Sequence, residues 1–401
     1  MKSKIIGLAL FVMTVAGIVF YPTVAGHGVV VVDLPAPIVT FGQPLGQRKI
    51  EAVFVLDTTG SMSGLLDAAK EKIFSIASTM ASAQSAPEIH MGLVAFRDRG
   101  DTYVTKVVDL SQDLDSMYAA LIDLEAGGGG DTPESVNAAL YEAVHTISWS
   151  QDPNSYRVVF LIGDAPPHMD YPDEVKYPEI LAMANAKGIV VNTIRCGNSP
   201  VTEQQWRQIA AATQGSYFSV DQAGGAIAID TPFDEKIATL SSQLDDTRIF
   251  FGSVEDKARA MLKIKASEKL HASASPASRA RRAAFNATAS GEANLYGENE
   301  LIEEIASGRI ELDDIAAADL PEPMQAMSPS ERSAMVEATN AKRDALERRI
   351  KGLADKRENY LAEQVAKVEG ADTSLDYQIY DTLKSQAIKK GIEYEAAAPK
   401  L

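Results

Sequence analysis

The chain has one cysteine, Cys196, in 401 residues, so no intramolecular disulfide can form and the fold has to stand on its core. Cys196 ends the apolar run Ile189-Val190-Val191-Asn192-Thr193-Ile194, which is the setting of a buried structural thiol rather than of a nucleophile. Positive charge is also scarce. Lys and Arg number 38 against 55 Asp and Glu, a formal net charge of -17, and such a balance excludes non-specific binding to nucleic acid. Familiar catalytic patterns are missing as well: Gly-x-Ser-x-Gly, His-Glu-x-x-His, paired Cys-x-x-Cys and a Walker sequence do not occur. The reading is therefore of a protein that binds rather than of an enzyme.

What is present is the balance of a globular protein, 46% hydrophobic and 23% charged. The length allows two domains, or one with a helical appendage. Lys2 and Lys4 precede an apolar stretch from Ile5 to Tyr21, followed by Thr23-Val24-Ala25. This is the pattern of a secretory signal cut after Ala25. The stretch is short of the roughly 20 apolar residues of a membrane span, and an uncleaved inner-membrane anchor is the alternative. The expected location is outside the cytoplasm, in the periplasm, at the cell surface or secreted, with membrane association only if the segment is retained.

Residues 26–48 read as a linker and 49–246 as the principal domain. In the latter, apolar runs at 51–57, 89–97, 157–164, 188–196 and 216–220 alternate with helical patterns at 65–81, 114–125, 134–147, 179–187, 203–212 and 232–244. Near-continuous Val, Ile and Leu strands between helices imply an α/β fold, a doubly wound and mainly parallel sheet covered on both faces. The run 104–110 follows 89–97 after too short a turn for a crossover, so those two strands should pair antiparallel, one of them at an edge. Residues 247–293 read as a connector and 294–401 as an α-helical C-terminal region. In that region Ser330-Glu331 opens a helix running to about Val368, roughly 60 Å long. Its stripe of Leu346, Ile350, Leu353, Tyr360, Leu361, Val365 and Val368 suits either a coiled coil or docking on the first domain.

Three segments carry hard oxygen ligands at or beside strand ends. The first strand ends Asp57-Thr58-Thr59-Gly60-Ser61-Met62-Ser63, a later one ends Gly163-Asp164, and Gly130-Asp131-Thr132-Pro133-Glu134 lies between two helices. Ligands of open doubly wound sheets bind beyond the carboxyl ends of the strands. Hydroxyls and carboxylates suit Mg²⁺, or Mn²⁺ or Ca²⁺, better than a soft metal.

In order and placement these segments resemble the metal-ion-dependent adhesion site of von Willebrand factor A domains, whose first motif is Asp-x-Ser/Thr-x-Ser. The likeness covers roughly residues 49–246 and places Asp57, Thr59 and Ser61 in that motif, Thr132 as the family's isolated threonine and Asp164 as its final aspartate. The resemblance implies that the three hydroxyls coordinate the ion directly and the two aspartates mainly through water. A position would stay open for a Glu or Asp carboxylate of a protein partner. The C-terminal half resembles helical tails that follow such domains in exported bacterial proteins, on Asn294–Ile302 and Met327–Arg332.

Other residues near the motifs have plainer expectations. The glycine run 127–130 follows a helix, not a strand, and lacks a Gly-Lys-Ser/Thr, so it reads as freedom for the Thr132 loop and not as a phosphate cradle. Arg97-Asp98-Arg99-Gly100-Asp101 reads as a solvated turn, His168 as a loop histidine and Glu134 as a helix cap. Two alternative functions stand beside partner binding. One is a metal-dependent hydrolase with Asp131 or His168 as its base; the other is a membrane-tethered scaffold acting through the helical tail.

Overall fold

The computed structural model describes residues 48–84, 86–130, 132–220, 229–367 and 374–394. The segments expected as signal (1–25) and linker lie outside these residues apart from Arg48, as do Asp131 and Val368. Among the described residues no helix is long and apolar enough to cross a membrane.

Six strands form one sheet: β1 Lys49–Asp57, β2 Glu88–Phe96, β3 Thr105–Ser111, β4 Tyr156–Gly163, β5 Ile189–Cys196 and β6 Tyr217–Val220. Their order is β3-β2-β1-β4-β5-β6. Every pairing is parallel except β2 with β3, which is antiparallel and sets β3 at an edge as expected. From β1 the chain winds outward through β2 and β3, then returns to lay β4 on the other side of β1. The winding therefore reverses between β1 and β4, the switch point beyond whose carboxyl ends open α/β sheets place their ligand crevice.

Strand alternation supplies two cores. Ile50, Ala52, Phe54 and Leu56 of β1 face one side with Val158 and Phe160 of β4, while Val53, Val55, Val159 and Leu161 face the other. Phe54 and Phe160 are register partners whose rings stack at 5.7 Å. On the second face lie Val136 and Leu140 of α3 (Val136–His145), Ile180 and Leu181 of α4 (Tyr177–Ala186), and Trp206 and Ile209 of α5 (Pro200–Ala212). The first face is covered by α1 (Ser63–Ala81) and α2 (Leu114–Ile122), through Phe74, Met80, Met117 and Tyr118.

The remaining helices are α6 (Asp234–Asp245), α7 (Val254–Ser273), α8 (Pro276–Asn286), α9 (Pro329–Val365) and α10 (Leu375–Ala387), with short turns of helix between α8 and α9. Segment 247–293 is thus largely helical, and Leu270 and Phe285 enter the first core. Helix α9 opens with a capping box between Ser328 and Glu331. Its Leu346 and Ile350 pack with Ile237, Leu240 and Leu244 of α6, so the apolar stripe is used for docking inside the chain. Helix α10 and the residues after it return to the sheet. Tyr380, Leu383, Ile392 and Tyr394 complete the first core, and the Gln386 amide exchanges hydrogen bonds with Asn192 at 2.9 and 3.1 Å and accepts from Tyr156 at 2.6 Å.

Buried ion pairs tie these helices together. Arg282 of α8 meets Asp115 of α2 at 2.6 Å and Asp245 of α6 at 2.8 Å. Arg343 of α9 meets both Glu300 oxygens at 2.6 and 2.7 Å and also donates to Thr247, and Arg357 meets Asp234 at 2.7 Å. Each guanidinium is removed from water, and such pairs are tolerated only when geometry and hydrogen bonding are nearly complete.

Candidate functional site at the strand β1 and β4 ends

β1 ends inside the protein. Asp57 is 0% exposed, Thr58 and Thr59 are buried, and the chain then surfaces at Gly60 and Ser61 before Met62 turns back to pack against Cys196. Asp57 Oδ1 accepts from the Thr59 amide at 2.9 Å and from Thr59 Oγ1 at 2.6 Å. Thr59 Oγ1 lies 3.1 Å from Ser61 Oγ, which donates to Asp164 Oδ1 at 3.0 Å. Four of the five residues expected from the sequence are thereby joined in one chain of oxygen atoms across the crevice. Thr132 is exposed and makes no hydrogen bond to the other four among the described residues.

The other oxygen of Asp57 is unusual. Oδ2 faces Gly163 and has no hydrogen-bond partner among the described residues. The Asp164 amide is near enough to favour the carboxylate electrostatically, yet burial dominates and pushes Asp57 up to about 7, with the charge of Asp164 adding to the rise. Burial also raises Asp164, against the hydrogen bond from Ser61.

The glycine run lies across this loop. Gly127 donates to the Thr58 carbonyl at 3.0 Å, Gly60 donates to the Gly128 carbonyl at 3.2 Å, and Gly129 donates to Asp101 Oδ2 at 3.0 Å. Gly129 has φ +73°, and a Cβ there would stand 2.9 Å from Glu134 Oε1 and 3.0 Å from Thr59 Cβ. Only glycine fits between those two side chains.

Three expectations are corrected at this point. Glu134 does not cap α3: the N-cap is Ser135, whose hydroxyl goes instead to Asp98 at 2.7 Å. The Glu134 carboxyl is buried, 3% exposed, and Oε2 has no partner among the described residues. Burial first, then the charges of Asp57, Asp98, Asp101 and Asp164, push it up to about 8. Residues 97–101 are not a solvated turn throughout, because Asp98 is buried against Ser135 and Tyr171 while Asp101 holds Gly129. His168 is not a free loop residue. It is buried, stacked on Tyr171 at 4.0 Å, with Nδ1 on Asp170 at 2.7 Å and Nε2 near Asp98 at 3.3 Å. Local sequence carried no sign of these roles, since each depends on a loop from elsewhere closing over the residue. Cys196 behaves as expected: it is buried, and burial pushes its thiol up to about 12.

A sheet that reverses beside a crevice lined with hydroxyls and carboxylates defines the class as a Rossmann-like α/β domain with its site at the switch point. Residues 51–232 match the model of the von Willebrand factor A domain. The chain is 27% identical over 135 residues to "Alpha-protein kinase vwkA" of Dictyostelium discoideum, covering 32% of this chain and 20% of that protein. It is 36% identical over 115 residues to human "von Willebrand factor A domain-containing protein 7", covering 28% and 12%. The chain thus spans a fifth or less of these relatives. Among solved structures, the von Willebrand factor type A protein from Catenulispora acidiphila aligns with 19% identity, 43% and 39% coverage and a TM-score of 0.33.

Proposed function

We propose that the domain binds a protein partner outside the cytoplasm through a divalent cation, Mg²⁺ or else Mn²⁺ or Ca²⁺, held by Asp57, Thr59, Ser61, Thr132 and Asp164. The observation that carries this reading is the Asp57 carboxylate, fully buried and with Oδ2 unpartnered among the described residues. A buried anion without a counter-charge is costly, and a cation in the crevice removes the cost. The donor set supports a hard ion, since Thr59, Ser61 and Asp164 are already lined up within hydrogen-bonding distance. Among the described residues no three His, Cys, Asp or Glu side chains converge as a metal centre of their own, so hydroxyls have to share the work.

When bound, the ion would supply a Lewis-acidic position for a Glu or Asp of the partner. The chain's own part is positional. The Asp57 hydrogen bonds orient Thr59, and Ser61 bridges to Asp164. Exposure of Gly60, Ser61 and Thr132 leaves the mouth of the crevice open to a macromolecule. Export rests on the N-terminal pattern of Lys2, Lys4 and the apolar stretch after them. The hydrolase alternative is weakened at His168, whose ring nitrogens are engaged with Asp170, Asp98 and Tyr171.

Calorimetric titration of Mg²⁺, Mn²⁺ and Ca²⁺ into the full chain, beside Asp57→Ala and Thr132→Ala, tests the proposal. Saturable binding that is lost in Asp57→Ala supports it, and no uptake by the wild type at millimolar cation overturns it.

A further inference from the structure

The backbone of Glu134 has a structural task, and its side-chain Oε2 has no partner among the described residues. The amide donates to the Pro166 carbonyl at 2.9 Å, the carbonyl accepts from the His168 amide at 3.0 Å, and the residue forms a parallel bridge with Pro167. Those bonds fix residue 134 against the loop after β4, next to Asp164. They would form equally well with any side chain. The side chain present is an acid, 3% exposed, turned toward Gly129 and Thr59, and its Oε2 has no partner among the described residues. Buried polar groups are almost always satisfied, so an orphaned carboxyl oxygen in a tightly packed place calls for a ligand that completes it.

The neighbourhood says which ligand. Glu134 Oε1 and Thr59 Cβ crowd the same point, the position a Cβ on Gly129 would take. Thr59 Oγ1 in turn binds Asp57, whose Oδ2 is the second orphaned oxygen here. Each of these carboxyls thus has one oxygen beside Thr59, Asp57 Oδ1 on its hydroxyl and Glu134 Oε1 near its Cβ across Gly129, and a second oxygen, Oδ2 or Oε2, without a partner among the described residues. The layer behind Glu134 is built to hold it still. Asp98 accepts from Ser135 and Tyr171, His168 stacks on Tyr171, and Arg99 lies over the Tyr171 ring at 4.1 Å. These residues satisfy one another, and none of them is hydrogen-bonded to the Glu134 carboxyl among the described residues.

We propose that Glu134 is the third carboxylate of the cation site, beside Asp57 and Asp164, acting on the ion through a water of its shell. This rests on the reading of the same site given above. Because the three carboxyls do not converge into a metal centre among the described residues, a water between Glu134 and the ion is the geometry that fits. A third carboxylate adds attraction for the cation beyond that of Asp57 and Asp164. Affinity at oxygen sites rises with the number of charged ligands.

The test is titration of Ca²⁺ and Mn²⁺ into the full chain as wild type, Glu134→Gln and Asp57→Asn, with thermal unfolding of each in the presence and absence of cation. Glu134→Gln keeps shape and backbone contacts. It is expected to bind the ion about tenfold or more weakly, the scale on which residues around a metal act, and to show a smaller cation-induced rise in Tm. Its metal-free form at pH 8 is expected to be at least as stable as the wild type, because a buried unpartnered acid has become neutral. Wild-type binding with a loss smaller than tenfold in Glu134→Gln overturns this inference and leaves the cation reading standing. A metal-free Glu134→Gln less stable than wild type also overturns it, by showing a structural role. No uptake by the wild type overturns both.

Discussion

Ser61 Oγ donates to Asp164 Oδ1 at 3.0 Å across 103 positions of sequence, and this bond joins the ends of β1 and β4. It exists because those strands are neighbours in the sheet although another strand pair and three helices intervene along the chain. The residue bound to Asp164, Ser61, is exposed, as Thr132 is. Removing the Ser61 hydroxyl should uncouple the two strand ends. Ser61→Ala is expected to retain its Tm within about 2 °C, as a partly exposed hydrogen bond contributes about 1 kcal/mol or less. Its cation affinity by calorimetry should nevertheless fall clearly below that of the wild type.

The metal-free protein should lose stability as pH rises. Asp57, normally near 3.8, is raised to about 7, and Glu134, normally near 4.5, is raised to about 8. The folded state therefore binds more protons than the unfolded chain between these limits. The contribution is fully present below about pH 4 and disappears as pH passes through 7 and 8. Denaturant melts from pH 5 to 8.5 in chelator should show the decline, and saturating cation should flatten it. A stability that climbs with pH over this range in chelator contradicts the assignment.

Gly129→Ala places a methyl group 2.9 Å from Glu134 Oε1 and 3.0 Å from Thr59 Cβ at a backbone φ of +73°. Strain and clash together should destabilise the fold by about 1–3 kcal/mol. Gly130 is the internal control: its φ is not positive and nothing lies within 4 Å of its would-be Cβ. Gly130→Ala should unfold with the wild type.

Arg282 is fully buried between Asp115 and Asp245. Burial opposes charge on both acids, but Arg282 holds each well below the usual carboxylate range. Arg282→Ala leaves two buried carboxylates unpaired and should cost about 3–5 kcal/mol. Arg207→Ala removes the exposed pair with Glu203 and should change stability by about 0.5 kcal/mol or less. Equal effects from the two variants in urea melts would refute the argument.

Deleting residues 368–401 removes Tyr380, Leu383, Ile392 and Tyr394 from the first core and strips Tyr156 and Asn192 of Gln386. The shortened chain should unfold at markedly lower temperature by circular dichroism, or fail to fold. A truncated chain as stable as the full one would show that α10 is an ornament on the sheet.

Much of the architecture could be read from residues because it is local. The runs of Val, Ile and Leu at 51–57 and 157–164 are buried on both faces, and burial on both faces leaves no polar alternation in sequence. The short turn after β2 excluded a crossover, and β3 is the antiparallel edge. Asp57, Thr59 and Ser61 sit within five residues, so their mutual hydrogen bonds follow from one turn of chain. Glu134, Asp98 and His168 could not be read in the same way. A glutamate after Thr-Pro and before a helix looks like a cap, and only the closure of the glycine run and of the loop after β4 buries it.

Composition and pattern, then, were enough for the α/β class, the strand order's edge and the Asp-x-Thr-x-Ser turn, since hydrophobic periodicity and short-range hydrogen bonding act over a few residues. Tertiary structure alone decided which acids lose water. Desolvation depends on what packs around a carboxyl from every direction. For Glu134 those surroundings come from residues 57–59, 98–101, 129 and 164–168, which sequence order keeps apart and the sheet reversal between β1 and β4 brings together.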